Sequence, residues 1–183
     1  MSRLRKLVAA CLLAALGWVS ATTVRQLSLP ELLEAAAIGF RGTVSSVDVR
    51  LIDDEPWTEV TFDITDQLLA GSADEEPEEN RVTLAFLGGS SGGTELAVAL
   101  RPEFSPGDEV IVLAYEERYY SPVVGFNQGV WWLDDTGTWL DQNGVALAVT
   151  EDGQLTRAEP DPVAVGLDTD EVVQALRQAL EDR

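Results

Sequence analysis

The 183-residue chain carries 32 acidic against 12 basic residues, a formal net charge of −20, and no His. A field of that sign repels phosphate backbones and anionic headgroups, so nucleic acid and membrane surfaces are poor partners and cations or basic surfaces better ones. Length and a 45% hydrophobic share suit one domain with a real core.

Arg3, Arg5 and Lys6 precede an apolar run from Leu7 to Trp18, and Val19-Ser20-Ala21 places a small residue at a cut. This is the three-part pattern of a secretory signal peptide, residues 1–21, with the mature chain starting at Thr22. Removing it leaves 9 basic residues, all Arg, against 32 acidic ones, a net charge of −23. The leader holds the only Lys, Cys and Met, so the exported chain is expected to lack these and His. Val8-Ala9-Ala10-Cys11 has the shape of a lipoprotein cleavage box. Only Leu7 to Ala10 precede that Cys, however, and the apolar run continues past it, so Cys11 reads as part of the leader. The expected destination is periplasm, cell surface or medium, with no membrane-spanning segment after cleavage and no internal disulfide.

Ser28-Leu29-Pro30-Glu31 has a capping-box pattern with Pro in the first turn, predicting a short helix to Ala36 that buries Leu29, Leu32, Leu33 and Ala36. β structure follows at Phe40, Thr43 to Val49 and Leu51, breaks at Asp53-Asp54-Glu55-Pro56, and resumes from Trp57 to Ile64 with Val60, Phe62 and Ile64 on one face. Gly71 to Asn80, with Glu75, Glu76, Glu78 and Glu79 about Pro77, is too charged to bury and reads as a solvated tip. A strand from Arg81 alternates through Val82, Leu84 and Phe86 into a flexible hairpin at Gly88 to Gly93, and Leu96, Val98 and Leu100 alternate again.

Phe104-Ser105-Pro106-Gly107-Asp108 is turn chemistry, and Val110 to Tyr115 is continuously apolar, as a strand crossing the core should be. From Tyr119 the spacing shortens to a meander of Tyr120–Phe126, Val130–Leu133, Thr138–Leu140 and Val145–Val149. Asp135-Thr136-Gly137, Asn143-Gly144 and Asp152-Gly153 mark its turns. The β domain is thus 22–158, residues 159–167 around Pro160 and Pro162 form a linker, and 168–183 form a helix. Asp168-Thr169-Asp170-Glu171 caps that helix, whose Val172, Val173, Leu176, Ala179 and Leu180 dock on the β domain.

The missing residue types exclude chemistry. Hydrolases with an imidazole or amine base, Lys Schiff-base enzymes and the usual zinc sites have no side chains to use, and no cofactor is implied. Paired carboxylates and oxygen-ligated cations survive, but no motif singles out a catalytic pair. Asp134, Asp135 and Asp141-Gln142-Asn143-Gly144 offer oxygens near turns without the twelve-residue calcium-loop spacing, so no metal residue is assigned. Trp131 and Trp132 are adjacent in a strand and must face opposite ways. With Trp139, Tyr119 and Tyr120 they form the candidate ligand platform, since such rings join a large apolar area to a polar handle.

Four segments carry a resemblance: Ala37-Ile38-Gly39-Phe40-Arg41-Gly42-Thr43-Val44, Thr58-Glu59-Val60-Thr61-Phe62, Leu68-Leu69-Ala70-Gly71 and Phe104-Ser105-Pro106-Gly107-Asp108-Glu109-Val110. Over residues 34–126 the chain resembles uncharacterised exported bacterial proteins and, more distantly, netrin-like and metalloproteinase-inhibitor modules. The resemblance implies a closed five-stranded barrel of the oligonucleotide/oligosaccharide-binding (OB) type. Those inhibitors place an N-terminal Cys on the protease zinc, and here the expected start is Thr22, so no inhibitory mechanism carries over. The expectation is a mainly β protein: a small closed or partly open OB-like barrel, or alternatively a sandwich, flanked by the two helices. It would act as a non-enzymatic binding module for an extracytoplasmic protein or glycan. The alternatives are a carboxylate hydrolase of polysaccharides and a structural envelope protein.

Overall fold

Asp53 and Asp54 both take positive φ, 52° and 65°. Two such residues reverse a chain in the sense that matches strand twist, and Asp tolerates this backbone better than most side chains. They join two fifteen-residue antiparallel strands, β1 (Ile38–Ile52) and β2 (Glu55–Leu69). The computed structural model that describes this hairpin covers residues 24–69, 80–117, 119–158 and 169–183. The leader, the glutamates of the acidic tip, the linker and Asp168 lie outside the described residues.

Register shifts at Gly39/Phe40, Arg41/Gly42 and Val44/Ser46 bend the hairpin, because each bulge opposes two residues to one. Gly42 is required there: a Cβ at this position would lie 2.6 Å from the Asp63 carbonyl oxygen. β3 (Arg81–Leu87) pairs with β2, and β6 (Glu109–Ala114) pairs with the first part of β1. A meander then runs outward from β6 through β7 (Val130–Leu133), β8 (Trp139–Leu140), β9 (Ala146–Val149) and β10 (Leu155–Ala158). A small separate hairpin comprises β4 (Gly89–Ser91) and β5 (Thr94–Leu96).

The result is one large antiparallel sheet in the order β10-β9-β8-β7-β6-β1-β2-β3, with two helices. The expected barrel closure is absent, since β10 and β3 are the two ends of the sheet and do not pair with each other. Residues 130–158 extend the sheet away from β3 instead of returning to it. The meander turns explain why. Asp134 Oδ1 accepts from the amides of Thr136 and Thr138 at 2.9 and 2.8 Å, Asp141 Oδ1 from those of Asn143 and Val145 at 2.8 and 2.9 Å, and Thr150 Oγ1 from that of Gln154 at 3.0 Å. Each turn is completed by a positive-φ glycine, Gly137, Gly144 or Gly153, so successive strands can only lie side by side.

Two segments with alternating apolar residues are not strands. β5 ends at Leu96, and Leu100 takes φ 63°, which a strand does not accommodate. Tyr120–Phe126 makes only one isolated bridge, Ala114 with Val123, because Gly125 and Phe126 both turn to positive φ.

Each face of the sheet carries a core. On one face Phe40, Phe62, Phe86 and Phe104 pack ring to ring at 5.2 to 5.6 Å with Val44, Val60, Val110 and Val112. On the other, Ile111, Leu113, Trp131, Trp139 and Leu147 are covered by α1 (Leu29–Ala35) and α2 (Thr169–Glu181). β6 contributes to both faces, which is why its residues from Val110 to Ala114 are all buried. α2 buries Val172, Val173, Leu176 and Leu180 as its periodicity requires. Arg183 Nη1 donates to the carbonyls of Leu33, at 2.6 Å, and Ala36, adding a second donor to the Leu33 oxygen that the Ala36 amide already caps. No helix among the described residues is long and apolar enough to cross a membrane.

At the start of α1, Glu31 accepts from the Ser28 amide and hydroxyl at 2.8 Å each and pairs with Arg25 at 2.7 Å. The Ser28 amide foremost, then Arg25, holds the Glu31 carboxyl down to about 2. A folded value below the unfolded one gives stability that is present above the ordinary Glu range and lost as pH falls through the folded value. Glu31→Gln should therefore flatten the stability-versus-pH curve between roughly pH 5 and pH 2, measured by urea unfolding across that range. Gly42→Ala should cost about 1–3 kcal/mol by forcing the bulge apart, seen as a lower urea midpoint with the slope unchanged.

Candidate functional site

Past Thr43 the outer side of β1 has no partner in β6, and the chain from Gly88 to Asp108 packs over this end of the hairpin. Gly88 and Gly89, at φ 103° and 134°, permit that approach: a Cβ on Gly89 would lie 2.8 Å from Val49 and 2.9 Å from Thr58 Oγ1. Buried Thr58 Oγ1 donates to the Gly88 carbonyl at 2.7 Å. Arg101 Nη1 donates to the same carbonyl at 3.2 Å and to Thr58 Oγ1. The positive φ at Leu100 leaves that side chain 44% exposed while Arg101 turns inward and Pro102 is buried. Phe104 then inserts among Phe62, Phe86 and Trp132, and Asp108 closes the loop by accepting from the Ser105 amide at 2.7 Å.

The loop forms a ridge between two depressions. One, of about 460 Å³, is lined by Leu100, Arg101, Glu103, Trp132 and Gln142. The other, of about 250 Å³, lies between the same Arg101 and Glu103 and the side chains of Val47, Thr58 and Phe86. Glu103 is the one carboxylate among the described residues lining either depression.

Arg101 differs from the other described arginines. Arg25, Arg41, Arg50, Arg81, Arg157 and Arg177 each pair with a carboxylate, and Arg183 caps α1. Arg101, among the described residues, is bound only by neutral oxygens, and both of those bonds use Nη1.

The five aromatic residues singled out from the sequence do not converge. Trp131 and Trp139 are fully buried beneath the helices. Trp132 faces the opposite way, half-buried against Phe104 at 5.7 Å, and lines the larger depression. Tyr119 and Tyr120, 49% and 67% exposed, follow the far end of β6, whereas Trp132 lies opposite Val110 near its start. Tyr119 donates to Glu117 at 3.1 Å, and that hydrogen bond raises its hydroxyl pKa. The turn carboxylates are engaged as well. The Thr138 amide, followed by the Thr136 hydroxyl, lowers the pKa of Asp134, and Asp141 also pairs with Arg157.

Arg101 was not visible as a site residue in the sequence. Its one local signal is Pro102, which forces extended backbone at the preceding residue. Its partners, Thr58 and Gly88, lie 43 and 13 positions away. Comparison with known protein families, curated proteins and solved structures finds no match to this chain. Thr58→Val should cost about 1–3 kcal/mol in chemical denaturation, because Gly88 loses a buried donor and Arg101 an acceptor.

Proposed function

We propose that this is an exported, non-enzymatic binding module that takes a saccharide in the depression beside Trp132. The observation that carries this reading is the lining of that depression: an indole, the Leu100 side chain, and hydrogen-bonding groups of opposite character on Arg101, Glu103 and Gln142. A sugar ring has a C–H face that packs on an aromatic and a rim of hydroxyls that both donate and accept. The volume suits one or two sugar residues. Glycoside hydrolysis usually takes two carboxyls across the scissile bond, and the described lining supplies only Glu103, which favours binding over turnover.

Export is supported by the basic, apolar and small-residue succession of residues 1–21. The finer architecture belongs to the same reading. β3, β2, β1, β6 and β7 form a partly open, OB-like barrel around the phenylalanine core. Its open side is narrowed where the Leu87 amide donates to the Tyr120 carbonyl at 2.8 Å.

Two measurements test the proposal. Calorimetric titration with neutral and acidic oligosaccharides should show saturable binding that Trp132→Leu weakens at least tenfold, with no reducing ends released. Failure of every saccharide to bind, or equal binding by the variant, would overturn the site. N-terminal sequencing of the protein recovered outside the cytosol should read from Thr22, and an intact cytosolic Met1 would overturn export.

A further inference from the structure

We infer that the saccharide carries a carboxylate, as a uronic acid does, and that Arg101 is the group that recognises it. This rests on the reading of the Trp132 depression as a saccharide site. The chain holds 32 carboxylates, and six described arginines have found one. Arg101 instead presents a half-buried positive charge to a concave surface, and its hydrogen-bond partners among the described residues are neutral. Holding such a charge on neutral hydrogen-bond partners is unfavourable, and an anion docking there would compensate it.

The guanidinium is also oriented. Both bonds to Thr58 and Gly88 leave from Nη1, so the Nε–Nη2 edge keeps its two parallel N–H groups without a protein acceptor among the described residues. That edge matches the two oxygens of a carboxylate, a geometry that an ammonium cannot reproduce. Its holders are rigid: Thr58 is buried within β2, and Gly88 is packed so closely that a Cβ would meet the Leu96 carbonyl at 2.9 Å. The donor pair is thus positioned before any ligand arrives, which lowers the ordering cost of binding.

The acidic surface narrows the ligand class further. Repulsion from the net negative charge falls off within about 8 Å at physiological salt, so a single carboxylate at Arg101 is tolerated, but each added ligand charge is opposed. A singly charged sugar therefore fits better than a phosphorylated one. Glu103, lining the same depression, adds to that discrimination and remains available to accept from sugar hydroxyls.

The test compares matched ligands at neutral pH: oligomers of neutral sugars that each carry a single galacturonate, glucuronate or mannuronate residue, each against the same oligomer with that carboxylate methyl-esterified. One acid oligomer should bind at least tenfold more tightly than its ester. Arg101→Lys should lose most of that preference and Arg101→Gln all of it, read within each variant as the ratio of acid to ester affinity. A control that needs no variant is pH. Lowering it through the ligand's own carboxyl pKa should erase the preference of the wild-type protein. Equal binding of acid and ester, still dependent on Trp132, would overturn the carboxylate assignment and leave the saccharide site standing. Preference for a sulfated or phosphorylated oligomer over the uronates would also overturn it. Binding of no saccharide in either form would overturn both readings.

Discussion

The double pairing of β1 is the constraint on which the rest of the structure depends. Over Gly39 to Thr43 this strand is bonded to β2 on one side and β6 on the other, Val44 still bonds Gly107 and Asp108, and from there on β2 is the strand paired with it. The first stretch therefore lies within a sheet covered on both faces. The second is a projecting hairpin that must be covered by something else. Bulges at Gly39, Gly42 and Val44 bend the hairpin over the phenylalanine core, and the segment from Gly88 to Asp108 packs at its end.

The candidate site follows from that arrangement. A loop that covers an apolar end must supply apolar groups, which are Phe104 and Pro102, and must satisfy its own polar groups without a strand partner. Glycines at 88 and 89 bring the Gly88 carbonyl within reach of Thr58, and Arg101 completes the triangle. A charged side chain is thereby held by neutral oxygens at the edge of an apolar core, beside Trp132. The same side chain on an open strand face would meet one of the many carboxylates, as Arg50 meets Glu59 and Arg81 meets Asp63.

Local pattern made much of the framework legible. The helix that buries Leu29, Leu32 and Leu33, the alternation of Val60 with Phe62, the apolar run of β6 and the apolar face of α2 each depend on residues a few positions apart. Pattern misled where backbone sign decided the outcome. Leu96, Val98 and Leu100 alternate as a strand would, yet Leu100 sits at positive φ because the chain must there turn Arg101 inward. The five aromatic residues separate for a related reason. Alternation shows that Trp131 and Trp132 face opposite ways, but which face is roofed by helices depends on where α1 and α2 dock.

What the sequence by itself determined is therefore the set of elements, the acidic balance and the missing side chains, because these are properties of composition and near neighbours. Only the tertiary structure decided that the sheet stays open, that Trp139 is core, and that Arg101 lines a depression while its hydrogen bonds among the described residues go to neutral oxygens. Each of those outcomes depends on groups far apart in the chain. Sheet order depends on β6 choosing β1, and the setting of Arg101 depends on Thr58 and Gly88. Such contacts rest on the strand positions that burial of both cores fixes.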